Sequence, residues 1–253
     1  MSVERTEIEW TYTPPGFFEA TYTCAESDYV LNVGDGIAMA TLTVPQDPIP
    51  EDLLSRMAER VRGLMKVRQL QVHRAFALSE SRVRQFEDGH MRVAISISCS
   101  ACGAVAGGVD LVQRDSDGNV VKDTKAERIA EHQAMLDSVA PKVEESPELD
   151  SMLDSYGQSV VEPGNELVHL YEVRDALAKH YGGQSEAQAA LGIPSAEWSR
   201  VGRLANVEPV EQGRHRGKHP TTRRQATEQE LDEVRTIVRS WIVAFANQLP
   251  APS

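Results

Sequence analysis

The chain has 253 residues, 41% hydrophobic and 25% charged, with a formal net charge of −12. That length suits one large domain or two small ones with their own cores. The acidic balance argues against broad coating of nucleic acid and leaves room for one local basic site.

No apolar run approaches the roughly 20 residues of a membrane span. The segment Met1–Trp10 is polar and acidic, unlike a secretory leader. Three cysteines fit a reducing compartment. The expected setting is the cytoplasm, with no membrane partner.

The first half reads as mixed α and β. Thr6 to Thr13 alternates apolar and polar residues and is broken by Pro14-Pro15-Gly16. Phe17 to Thr23 and Asp28 to Val33 are predicted strands. Gly34-Asp35-Gly36 then turns the chain into a strand from Ile37 to Val44, a hairpin signature. After Pro50 a helix follows, with Leu54, Met57, Val61 and Leu64 at helical spacing. Ser81 to Phe86 and Met91 to Cys99 are predicted strands joined at Glu87-Asp88-Gly89. Asp117-Gly118-Asn119 marks another hairpin, between Asp110–Arg114 and Val120–Lys122.

From Lys125 the period changes to that of helices. Ile129, Leu136 and Val139 share one face, as do Leu149, Leu153, Tyr156 and Val160, while Pro141 and Pro147 bracket an acidic connector. Pro163-Gly164 opens a helix carrying Leu167, Leu170, Tyr171, Arg174, Leu177 and Tyr181, and Gly182-Gly183 stops it. Thr227 as N-cap with Glu230 three residues on predicts a capping box. It starts a long final helix with Leu231, Val234, Val238, Trp241 and Phe245 on one face. The fold class expected is α+β: a mixed antiparallel sheet with a helix over residues 1–124, then an all-helical bundle over 125–253.

Cofactor signatures are absent from the sequence: it has no G-x-G-x-x-G, Walker lysine loop, H-E-x-x-H or G-x-S-x-G. Cys99 and Cys102 form a lone C-x-x-C without the second ligand pair a zinc site needs, and read as structural. No cofactor and no metal are expected. His132 and His169 each stand alone on predicted helices.

The informative stretch lies between Gln212 and Gln225. It holds Arg214, His215, Arg216, Lys218, His219, Arg223 and Arg224 and no carboxylate, a local reversal of the sign of the whole protein. Cleaving RNA without a metal requires a proton acceptor near the 2′-hydroxyl and a cation on the phosphorane. His219 suits the first role because the unperturbed imidazole titrates near neutrality. Arg214 suits the second as a permanently charged planar fork, and a helix N-terminus just downstream would favour an anion. Four Arg–His pairs occur at this kind of spacing: Arg68 with His73, Arg84 with His90, Arg174 with His180, and Arg214 with His219. The first two fall in the β-containing half. The third falls inside an amphipathic helix, where it is expected to be solvated surface. Only the last precedes a helix within the helical half.

"RHRGKH", Arg214 to His219, resembles the Arg-polar-…-His motif of the ribonuclease members of the HEPN family of compact helical bundles. "ELVHLYEVRDAL", Glu166 to Leu177, resembles the opening helix of such a domain, and the final helix follows the motif as in that family. The likeness spans roughly residues 160–249, and the two-part chain resembles a group of bacterial proteins. It implies a metal-independent endoribonuclease, in a defence or stress-response setting. Arg214 and His219 would be catalytic with His215 in support, and Arg216, Lys218, Arg223 and Arg224 would bind RNA. It also implies a homodimer that brings two such loops together across a twofold interface. Val238, Trp241, Ile242 and Phe245 on the final helix give an apolar stripe suited to that pairing.

Two other readings compete. Gln184 to Ala205 fits a helix-turn-helix with its turn at Leu191-Gly192-Ile193. Trp198 and Val201 would lock its helices, leaving Glu197, Ser199, Arg200 and Arg203 outward for DNA. The bundle also fits a noncatalytic HEPN-like dimerisation or binding module.

Overall fold

The computed structural model describes residues 4–87, 90–94, 110–214 and 223–251. The fold is α+β, with an antiparallel sheet in the N-terminal half and seven α-helices among the described residues. No helix among them is long and apolar enough to cross a membrane. The chain forms two compact units. The first holds residues up to Arg68 together with Phe76–Asp137; the second holds Gln69–Ala75 and everything from Ser138 on.

The first unit is built on strands β1 (Arg5–Thr13), β2 (Tyr22–Ala25), β3 (Tyr29–Gly34), β4 (Ile37–Leu42), β5 (Ala77–Leu78), β6 (Arg82–Glu87) and β7 (His90–Ala94). Their order is β2-β3-β4-β1-β6-β7, with β5 also paired to β1, and every pairing is antiparallel. The alternation of β1 is that of a strand with one covered face: Thr6, Ile8, Trp10 and Tyr12 are all buried. Glu9, on the opposite face, is also buried and is matched by Arg84 of β6 at 2.5 Å. The β3–β4 hairpin turns on Asp35 (φ 50) and Gly36 (φ 83), both in the left-handed region that a two-residue turn of this hand requires.

Helix α1 (Glu51–Val72) buries Leu53, Met57, Val61 and Leu64. It is tied to the sheet's β2–β3 corner by Arg56–Asp28 (3.0 Å) and Arg60–Glu26 (3.3 Å). A small hairpin of β8 (Val112–Arg114) and β9 (Val120–Asp123) leads into α2 (Thr124–Val143).

Two expected elements differ. The strand over Phe17–Thr23 is instead a 3₁₀ turn, Pro15–Phe17, followed by β2 from Tyr22. Phe17 and Phe18 leave the sheet because both rings are buried and meet edge-on at 5.8 Å, a tertiary gain that outweighs strand propensity. Pro141 does not bracket a connector but sits inside α2. Of the strand expected over Met91–Cys99, residues beyond Ala94 lie outside the described residues. So do Asp88 and Gly89 of the expected turn, and Cys99 and Cys102.

The second unit contains α3 (Pro147–Val161), α4 (Glu166–Tyr181), α5 (Gln184–Leu191), α6 (Ser195–Asn206) and α7 (Glu228–Gln248). Its core holds Leu149, Leu153, Tyr156, Leu167, Leu170, Leu177 and Val201, centred on Trp198 stacked against Trp241 at 5.1 Å between centroids. Gly182 ends α4 at φ 84, and Thr227 with Glu230 forms a complete capping box at the start of α7. Val238, Trp241, Ile242 and Phe245 are each 1% exposed or less within this single chain, so the chain's own packing covers all four residues of the stripe.

Candidate functional site

The described ends of the basic stretch are pinned side by side. Val210 bridges Arg224, with Glu211 N–H donating to the Arg224 carbonyl and Arg224 N–H to the Pro209 carbonyl, both at 2.9 Å. Gln212, 7% exposed, locks this junction from inside: its carbonyl accepts from Ala226 N–H (3.0 Å) and its amide donates to the Gln225 side chain (2.7 Å). Arg214 N–H donates to the Ala205 carbonyl at the end of α6 (2.8 Å). Gly213 is needed here, because a Cβ would come within 2.9 Å of that same carbonyl. The described residues on either side of the basic stretch are therefore fixed to one another beside the end of α6.

Arg214 lies over Tyr171 of α4, its guanidinium carbon 4.6 Å from the ring centroid, and donates to Asp175 at 2.9 Å. Arg174 approaches the same ring at 4.9 Å and Trp198 at 4.8 Å. Two guanidinium groups thus share one tyrosine. Cation–π contacts of this kind are worth about 0.5–1 kcal/mol at exposed sites and more when desolvated. Arg174 is therefore not the solvated surface residue its helical position predicted: its Nε is buried without a hydrogen-bond partner. Sequence reasoning misses Tyr171 and Asp175 and sets Arg174 aside as solvated surface. Their i, i+3, i+4 spacing on the helix that resembles a HEPN opening helix was the available signal.

Arg224 is held on both sides, by Glu230 (2.7 and 2.8 Å) and Glu208 (2.9 Å). Arg224 and the Thr227 amide hold the Glu230 carboxyl down to about 2. Arg223 has no ion-pair partner among the described residues. It lines a cavity of ≈ 480 Å³ with Pro163, Gly164, Glu211, Gln212 and Gln225. His215, Arg216, Lys218 and His219 lie outside the described residues.

In the segment read as a helix-turn-helix, α5 ends at Gly192 (φ 65) and α6 starts at Ser195. Its side chains are arranged differently from the expected DNA-reading face. Arg200 turns to Glu233 (2.8 Å) and Glu208 (3.4 Å), and Glu197 accepts from the Trp241 indole N–H (3.3 Å). Arg203 also pairs with Glu208, at 3.3 Å.

No family model, curated protein or solved structure matches the chain.

The lone histidines are placed by the structure. His132 Nδ1 is 2.8 Å from Arg68, and its pKa is pushed down by burial and by that cation. His169 lies between Glu162 and Glu172 at 3.3 Å from each.

Proposed function

We propose that the protein is a metal-independent endoribonuclease whose site is the loop from Arg214 to Arg224. His219 would take the proton from a 2′-hydroxyl, which attacks the adjacent phosphorus and expels the 5′-oxygen. The products would be a 2′,3′-cyclic phosphate and a 5′-hydroxyl. Arg214 would stabilise the added charge on the phosphorane, and His215 would protonate the leaving oxygen. Arg216, Lys218, Arg223 and Arg224 would hold flanking phosphates.

The observation that carries this reading is the pinned junction of residues 210–214 with 223–226. It fixes the start and end of the basic stretch, so that Arg214 and Arg223 enter and leave the loop on one scaffold. The motif's resemblance to HEPN ribonucleases supplies the reaction class. Twofold pairing of two such loops is part of the proposal. Because α7's apolar stripe is buried in its own unit, pairing would use other surface. A reducing cytoplasm is the proposed setting.

A specific observation favours a second reading, a noncatalytic HEPN-like module: Arg214 and Arg224 already have carboxylate partners. DNA reading by α6 ranks below both, because Arg200 and Glu197 are engaged within the unit.

The deciding experiment incubates the purified chain with single-stranded RNA in EDTA and identifies the product ends. Cyclic-phosphate termini that disappear in both Arg214→Ala and His219→Ala support the ribonuclease. Cleavage that survives both changes overturns the site assignment. RNA binding without cleavage supports the noncatalytic module.

A further inference from the structure

The first unit contains a larger cleft that the proposed reaction does not use. It has a volume of ≈ 720 Å³ and is lined by Trp10 of β1, Ala58, Arg62 and Lys66 of α1, and Phe76, Leu78, Ser79, Glu80 and Ser81 around β5. That volume lies within the range of roughly 300–1,000 Å³ typical of small-molecule sites.

Sequence and backbone together explain why it is open. Along β1 three steps separate Glu9 from Tyr12, but their partners Arg82 and Leu78 are four apart, so the β5–β6 side carries one extra residue. This is a bulge, a device that re-aims side chains at sheet edges and beside sites. It is held in place by Ser79, whose Oγ accepts from Thr11 N–H (2.9 Å) and whose N–H donates to the Thr11 carbonyl (2.8 Å). Glu80 and Ser81 are thereby directed to the cleft. Opposite them, Ala58, Arg62 and Lys66 follow one another at i, i+4 spacing and form one stripe of α1. The small side chain of Ala58 leaves room beside the two cations.

The chemistry of the lining is divided. Two cations sit one helical turn apart in a protein whose net charge is −12, and Arg62 has no ion-pair partner among the described residues. Half-buried Phe76 supplies aromatic surface, with the largely buried Trp10 at the cleft wall, and Glu80 supplies a single carboxylate acceptor. A planar guanidinium beside an ammonium suits a phosphate, aromatic rings suit a base through stacking, and an acidic side chain suits sugar hydroxyls. We propose that this cleft binds a nucleoside monophosphate. Its phosphate sits on Arg62 and Lys66, its base lies against Trp10 and Phe76, and its sugar faces Glu80 and Ser81. The proposal stands independently of the ribonuclease reading, since it involves none of that site's residues.

Calorimetric titration of the full chain with AMP, adenosine and ribose 5-phosphate tests it, together with Arg62→Glu and Lys66→Gln variants checked for unchanged thermal midpoint. AMP is expected to bind with a dissociation constant below about 1 mM. Adenosine, ribose 5-phosphate and both variants with AMP should each bind at least about tenfold more weakly, the loss of roughly one good contact. Absence of AMP binding overturns the site. Binding by folded Arg62→Glu as tight as by the parent overturns the phosphate assignment. Ribose 5-phosphate binding as tightly as AMP overturns the aromatic one.

Discussion

Glu166 at the start of α4 and Arg235 in α7 form a two-pronged ion pair inside the helical unit. The guanidinium Nε and Nη2 reach the two carboxylate oxygens at 2.6 and 3.0 Å, and the carboxylate is 2% exposed. Glu166 therefore depends on this partner. Arg235→Ala should cost about 3–5 kcal/mol in urea unfolding because it leaves a buried charge uncompensated. Replacing both, Glu166→Leu with Arg235→Met, should recover most of that loss. A single variant that unfolds within about 0.5 kcal/mol of the parent, the range of ordinary surface changes, would show that the pair is not structurally important.

The same cluster makes the helical unit sensitive to acid. His73 is in the left-handed region (φ 46), with Nδ1 3.2 Å from the Tyr156 hydroxyl and Nε2 3.5 Å from Glu166. Burial, then the nearby Arg235 and Arg239, push its pKa down to about 4. At neutral pH it is uncharged, so its contact with Glu166 is not an ion pair. The folded value lies below the ordinary one near 6.5, so the unfolded chain binds the proton first. The stability tied to neutral His73 is complete above about pH 6.5 and is lost as pH falls towards 4, with a slope of at most about 1.4 kcal/mol per pH unit. His73→Gln should flatten the stability profile between those limits. An unchanged slope would refute the assignment.

Gln212 joins the two described ends of the basic stretch from a buried position. Gln212→Ala removes the acceptor for Ala226 N–H and should cost about 1–3 kcal/mol, the penalty of an unsatisfied buried donor. If the loop is the ribonuclease site, cleavage should fall by more than RNA affinity does, because positioning is lost before charge. Comparing single-turnover rates with binding constants checks this.

Asp175 competes with any phosphate for Arg214. If the chain binds RNA as proposed, Asp175→Asn should therefore tighten that binding and steepen its salt dependence by about one phosphate contact. A weaker complex would mean that Asp175 positions Arg214 productively instead of restraining it.

The parts of this protein legible in the sequence are those set by neighbours within about four residues. The alternation of β1, the Asp35-Gly36 turn, the Gly182 stop and the Thr227–Glu230 box each depend on backbone geometry that a few adjacent side chains impose. The basic stretch was visible for the same reason, as a run of one charge. Tertiary structure decided the rest. Seen alone, the α7 stripe of Val238, Trp241, Ile242 and Phe245 is apolar surface awaiting a partner. Only the folded unit shows Trp198 stacked on Trp241 and the stripe already buried. Arg174 and Arg214, 40 positions apart, meet on one tyrosine. Arg200 turns from an expected DNA-facing position to the carboxylates of Glu208 and Glu233. His73 reaches Tyr156 and Glu166 across long stretches of chain. Helical periodicity says which residues share a face. It does not say which distant surface covers that face, because burial and ion pairing depend on groups that only chain folding brings within a few ångströms.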